Sequence, residues 1–151
     1  MKFIVIMLLA LVIIPVANAS SKQEIKKINR YLQSTPMKGT GKIIVHQAKK
    51  YDLNPTFVAA VAGKESSFGA ASCSRNPKNV WGLGACGRAW NPPYFKSWVS
   101  AVNYFVRFID QRWPSASSPF QFYGYCQGCE SEWGRSVAQH MQNMGGTLRV
   151  R

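Results

Sequence analysis

Hydrophobic residues recur at spacings of three and four along most of the chain, the period of a helix face. Ile25, Ile28 and Leu32 mark one side of a first helix over Lys22–Gln33. Ile43, Ile44, Gln47 and Ala48 mark a second, which Thr40 is placed to cap and which runs to Tyr51. In a third, over residues 53–69, Asn54 suits the N-cap and Pro55 the first helical position. Its stripe reads Val58, Val61, Ala62, Glu65 and Phe68. A fourth begins at a Ser97 cap, buries Val99, Val102, Phe105, Val106 and Ile109, and stops at Trp113-Pro114. The last runs from Ser131 to Met144 with Trp133, Val137 and Met141 inward, and Gly145-Gly146 ends it. Residues 69–95, rich in Gly, Asn, Pro and Ser, predict a long loop, and Pro114–Pro119 a polar turn. Phe120–Tyr125 has a strand-like pattern, but one strand makes no sheet. The fold class is mostly α with little or no sheet, in one domain without internal repeats.

Glu65 stands out because it places a carboxyl group among four apolar residues of an inward stripe. Partial burial disfavours the ionised form and raises the pKa. A protonated carboxylic acid in an apolar cleft is what general-acid cleavage of a glycosidic bond requires. A lone Glu beside an apolar stripe is more often solvated. Scarcity shifts the balance, since the chain has only six acidic residues.

The N-terminus adds an address. Lys2, the apolar run Phe3–Ile14 and Ala17-Asn18-Ala19 read as a secretory signal peptide over residues 1–19. The apolar run is shorter than the ~20 residues of a typical membrane span. A mature chain of Ser20–Arg151 is therefore expected, exported to the periplasm or beyond, with no stable membrane insertion after cleavage. The formal net charge of +13 implies an anionic partner. No nucleic-acid-binding motif accompanies it, and export argues against nucleic acid. Bacterial cell wall, rich in peptide carboxylates, suits both charge and address.

Cys73, Cys86, Cys126 and Cys129 remain in the exported chain, where disulfides are favoured. Three pairings are open. Local spacing favours Cys73–Cys86 and Cys126–Cys129, and the first would stabilise the fold by about 3 kcal/mol in the chain-entropy model. A zinc site is disfavoured, because neither a second Cys-x-x-Cys nor a paired His completes a ligand set. No metal or cofactor is expected.

The order of motifs resembles a family. Glu65-Ser66-Ser67-Phe68 is similar to the Glu-Ser-x-Phe signature of soluble lytic transglycosylases and goose-type lysozymes, where the Glu is the catalytic acid. Trp81-Gly82-Leu83-Gly84 sits where that family has a Gly-Leu-x-Gln loop lining the sugar cleft. Ala101–Phe105 resembles the helix after that loop, and Tyr125-Cys126-Gln127-Gly128 the Tyr-Asn-x-Gly motif whose Tyr lies near the Glu. Asn76–Trp81 followed by Phe95–Trp98 is similar to N-acetylglucosaminidase autolysins, which share the lysozyme-like core. The resemblance covers roughly Gly39 to Met144. The chain departs from it at Gly84, which replaces Gln, and at Cys126, which replaces Asn. Tyr123 lies close enough to compete with Tyr125 for the equivalent role.

The resemblance implies a lysozyme-like helical domain that cleaves peptidoglycan glycan strands, with Glu65 as its single acid. It also implies substrate contacts from Ser66, Asn79, Trp81, Gly82, Leu83 and Tyr125 or Tyr123. Trp81, Trp90, Tyr94 and Trp98 offer rings on which sugars could stack, and Asn79 could instead brace the loop. Hydrolysis by two carboxylates needs a partner about 5 to 9.5 Å from the acid. Asp52, Asp110, Glu130 and Glu132 are the candidates, and none is clearly placed. A transglycosylase is therefore favoured over a lysozyme or endo-N-acetylglucosaminidase. A non-catalytic cationic protein that binds wall or membrane is the remaining alternative class. A monomer is expected.

Overall fold

The computed structural model describes residues 16–71, 76–84, 93–126 and 128–151. Five α-helices account for most of them: α1 (Val16–Tyr31), α2 (Gly41–Lys49), α3 (Pro55–Ser66), α4 (Trp98–Arg112) and α5 (Glu130–Asn143). One 3₁₀ turn spans Pro119–Gln121, and no strand occurs among the described residues. The 120–125 segment, strand-like in pattern, is this turn and the bends after it. α1 starts earlier than the expected Lys22, inside the expected leader, whose residues 1–15 lie outside the described set. No helix among the described residues is long and apolar enough to cross a membrane.

Helix α3 is the axis around which the rest packs. It meets α5, α2 and α1, while α2 also packs on α1 and α4, and α5 on the 3₁₀ turn. Its residues 55–63 and Ser66 are buried. Apart from Lys64 and Glu65, the sequence offers small or apolar side chains on every face, and such a helix is stable only inside a core. This corrects the expectation of a single inward stripe. Initiation is as read: Asn54 Oδ1 accepts the Thr56 N–H at 2.9 Å, and Pro55 occupies the first turn.

Termination differs. The helix stops at Ser66, and Ser67 (φ 49°) and Phe68 (φ 59°) adopt left-handed backbone. Such a conformation costs a non-glycine residue about 1–2 kcal/mol. The reversal folds Phe68 back over Gly63, where an added Cβ would lie 2.4 Å from Phe68 Cζ. Phe68 then packs edge-on against Tyr31 and His140. It is buried as expected, but by the reversed turn and not by the helical period.

The other caps divide similarly. Ser97 and Ser100 form the capping box of α4, whose buried residues are Ala101, Val102, Phe105, Val106 and Ile109. Val99, expected inward, is half exposed. Thr40 makes no side-chain cap; its own backbone is helical, and its hydroxyl donates to the Met37 carbonyl at 2.7 Å. The first N–H of α2 goes instead to Asn29 Oδ1 of α1 at 2.9 Å, a cap supplied across a helix interface. The Cys126–Cys129 disulfide is present immediately before α5. The expected Cys73–Cys86 pair and Trp90 lie outside the described residues. The terminal segment is held by Val150, whose carbonyl accepts the Asn54 N–H and whose N–H donates to the Ser117 carbonyl.

Candidate functional site

The last turn of α3 carries Glu65 to the wall of a cleft of about 400 Å³. Residues 81–84 form one side, Phe108, Arg112 and Trp113 of the α4 end another, and Gly124 and Tyr125 a third. The 76–84 loop is braced from below. Ser66 Oγ donates to the Val80 carbonyl at 2.7 Å and accepts the Gly69 N–H at 2.8 Å. The buried Asn79 amide bonds Leu83 twice, donating to its carbonyl at 2.9 Å and accepting its N–H at 3.0 Å. Trp81 Nε1 donates to the Val58 carbonyl at 3.0 Å, and its ring stacks on Phe105 with centroids 4.7 Å apart. These ties press Gly82 (φ +66°) against the acid: a Cβ there would lie 3.6 Å from Glu65 Oε2.

The sequence-predicted contacts therefore separate into two groups. Gly82, Leu83 and Tyr125 line the cleft beside Glu65. Ser66, Asn79 and Trp81 hold the loop from inside, with their side chains buried. Trp81 also lines the cleft, but it is 1% exposed, with its ring stacked on Phe105. Asn79 follows the bracing alternative, with its amide committed to Leu83. Tyr94 and Trp98 are absent from the cleft walls, whose aromatic side chains among the described residues are Trp81, Phe108, Trp113 and Tyr125.

Tyr123 and Tyr125 have different places. Tyr123 is 73% exposed and borders a neighbouring depression with Arg112, Trp113 and Gln121. Its carbonyl accepts the Trp113 indole N–H at 3.1 Å. Tyr125 stands over Trp133, ring centroids 4.8 Å apart, and its hydroxyl donates to the Trp81 carbonyl at 3.4 Å, not to the Glu65 carboxyl. Burial, and then the charge of Glu65, push its phenol well above the usual range.

Among the described residues Glu65 has one direct hydrogen-bond donor. Trp133 Nε1 of α5 donates to its Oε1 at 2.6 Å. Burial raises the carboxyl pKa; the Trp133 bond, and then Lys64, pull it partly back down. Its position in the final turn also favours the neutral acid, because the helix dipole is negative there. Among the described residues Glu65 is the only carboxylic one lining the cleft. Of the other acids, Glu24 pairs with Lys49 and Asp110 with Arg151. Glu130 accepts the Gly128 N–H near the α5 start, Glu132 is exposed, and Asp52 lies at the opposite end of α3. None of these candidates for a second carboxylate lines the cleft. Among the described residues no group of three or more His, Cys, Asp or Glu is arranged to hold a metal.

The arrangement suits proton delivery: one carboxyl biased by burial toward its neutral form, oriented by a fixed donor, facing a cleft with aromatic walls. Sequence reading placed Trp133 inward but gave it no role, and it passed over Phe108, Arg112 and Trp113. The one available signal was that a buried indole N–H needs an acceptor. No family model matches the chain, and no curated protein sequence matches it either.

Proposed function

We propose that this chain is an exported peptidoglycan-cleaving enzyme with a lysozyme-like core, acting by lytic-transglycosylase-type chemistry with Glu65 as its single acid. The observation that carries the reading is the isolation of Glu65: it is the one carboxyl at a partly desolvated cleft. Protonated Glu65 gives its proton to the glycosidic oxygen as the bond to the anomeric carbon breaks, and the electron pair leaves with that oxygen. A hydroxyl of the same sugar then bonds to the anomeric carbon and returns its proton to the carboxylate. The product is an anhydro sugar, with no water consumed and no second carboxylate required. The strong excess of basic over acidic residues, which persists without the leader, favours adhesion to an acidic polymer, and the aromatic walls suit the apolar faces of sugar rings.

Mass spectrometry of purified peptidoglycan treated with the mature protein tests this. Anhydro-muramyl ends are the expected product. Reducing muramic or reducing glucosamine ends would make it a hydrolase. Failure to release any fragment, with lysis of wall-free vesicles, would replace the enzyme by a membrane-active cationic protein.

A further inference from the structure

The bond between Trp133 and Glu65 carries information about which carboxyl oxygen does the work. An indole N–H can only donate. Oε1, at 2.6 Å from Trp133 Nε1, is therefore the accepting oxygen whatever the ionisation state of the acid. When Glu65 is protonated, its carbonyl oxygen is the stronger acceptor, so the Trp133 bond at Oε1 favours placing the hydrogen on Oε2. Oε2 is the oxygen nearest Gly82, on the cleft side, where even a methyl group at residue 82 would stand 3.6 Å away. Trp133 itself is fixed: it is 2% exposed, it lies on a face of α5 with Val137 and Met141, and its ring is flanked by Phe122 and Tyr125. α5 is in turn the principal neighbour of α3. The donor is thus held by a different helix from the acid, in a place set by core packing.

We propose that Trp133 is the positioning residue of this site: by occupying Oε1 it directs the transferable proton of Glu65 to Oε2, toward the bound substrate. The inference rests on the proposed cleavage reaction and adds a residue that neither the motifs nor the cleft lining contains. The other charged or titratable groups facing the acid are Lys64 beside it on α3, Arg112 from α4 and Tyr125 across the cleft. None of these donates a hydrogen bond to the carboxyl among the described residues.

Two changes at residue 133 test this. Trp133→Phe removes the N–H but also leaves a void. Replacement by benzothienylalanine, in which sulfur takes the place of the N–H, keeps the ring shape and removes only the donor. With the analogue, peptidoglycan turnover is expected to fall at least about tenfold, since a misaimed reactive group loses rate steeply. The alkaline limb of the pH–rate profile is expected to move to higher pH, because the lost bond favoured the carboxylate. The Glu65 carboxyl ¹³C resonance should titrate at correspondingly higher pH, with the melting temperature little changed. An analogue protein whose Glu65 titrates as before, or whose turnover is unaltered, would overturn the proposal. The carboxyl titration needs no substrate. A shifted titration in the analogue, beside a wild-type protein that cleaves nothing, would therefore refute the cleavage reading and leave the Trp133–Glu65 bond standing.

Discussion

At its first turn α3 meets a cleft of about 770 Å³; at its last turn, one of about 400 Å³. The larger is lined by Glu24, Lys27, Lys49, Asp52, Arg149 and Arg151 among others, and its charges are largely engaged with one another or with backbone. Lys49 lies 2.6 Å from Glu24, Arg151 reaches outward to Asp110, and Lys27 donates to the Gly145 carbonyl. Asn54 is committed to the Thr56 N–H and to the Arg149 carbonyl. The smaller cleft holds one carboxyl, partly stripped of water and under one neutral donor, with no ion pair to it among the described residues. Volume alone would choose the first end. The cost of holding a lone ionisable group out of water points to the second, since such groups concentrate where chemistry is done.

The sharpest way to break this contrast is to neutralise one acid at each end. Glu65→Gln keeps the side-chain shape and cannot deliver a proton. Its peptidoglycan turnover is expected to fall by about 10²–10⁴-fold, the usual contribution of general acid–base catalysis, while Asp52→Asn retains wild-type turnover. Initial rates on purified peptidoglycan, with circular dichroism to confirm folding, make the comparison. An active Glu65→Gln would remove the smaller cleft from consideration.

Trp81 tests whether the cleft floor is framework or binding surface. As a core residue stacked on Phe105, its truncation in Trp81→Ala should destabilise the fold by about 3–5 kcal/mol, read by urea denaturation. A variant of normal stability with weakened substrate binding would restore the sugar-contact role that its burial argues against.

Tyr125→Phe removes a hydroxyl that makes a long bond to the Trp81 carbonyl. Turnover is expected to drop about tenfold, roughly 1.4 kcal/mol of barrier, with little change in melting temperature. Tyr123→Phe, altered outside the cleft, should be silent. The reverse pattern would move the assignment by two residues.

The smallest effect is on stability against pH. Because burial raises the folded-state pKa of Glu65 above its ordinary 4.5, the native state prefers the neutral acid. Stability from that preference is complete below the unfolded pKa and is lost as pH rises through the folded one. Gln stays neutral throughout. Glu65→Gln should therefore melt above wild type at neutral pH, and the difference should close as pH falls to about 4, measured by thermal scans. His140, whose pKa burial and then Lys64 lower, contributes stability that is lost as pH falls below 6.5. It is present in both proteins and cancels in the difference.

Local chemistry was the legible part of this molecule. Asn54-Pro55 and Ser97 announce their helix starts because a cap needs only the next three residues. The helical class and the Cys126–Cys129 bridge were legible for the same reason. Glu65 was visible as an acid among apolar neighbours. Thr40 failed as a cap because Asn29, from another helix, reached the free N–H first. The burial of α3 on every side was missed because small residues such as Ala59, Ala60 and Gly63 carry little hydrophobic signal yet permit close packing all round. The bracing role of Trp81 was not legible because a Gly-rich loop looks exposed in sequence; only the folded chain shows its N–H reaching the Val58 carbonyl. Trp133 illustrates the same limit, since its partner lies 68 residues away.

The reversed turn after α3 also constrains how this protein can change over time. A methyl group at residue 63 would strike the Phe68 ring, and Phe68 reaches that spot only because Ser67 and Phe68 accept left-handed backbone. Both positions flank Glu65, one half-turn before it and one just beyond. Drift at either is not independent: a side chain at 63 requires a smaller or displaced residue at 68, and a smaller residue at 68 leaves a hole against Tyr31 and His140. Divergent descendants that preserve the acid should therefore change 63 and 68 together, a covariation that would trace the turn even where the Glu-Ser-x-Phe pattern itself has been erased.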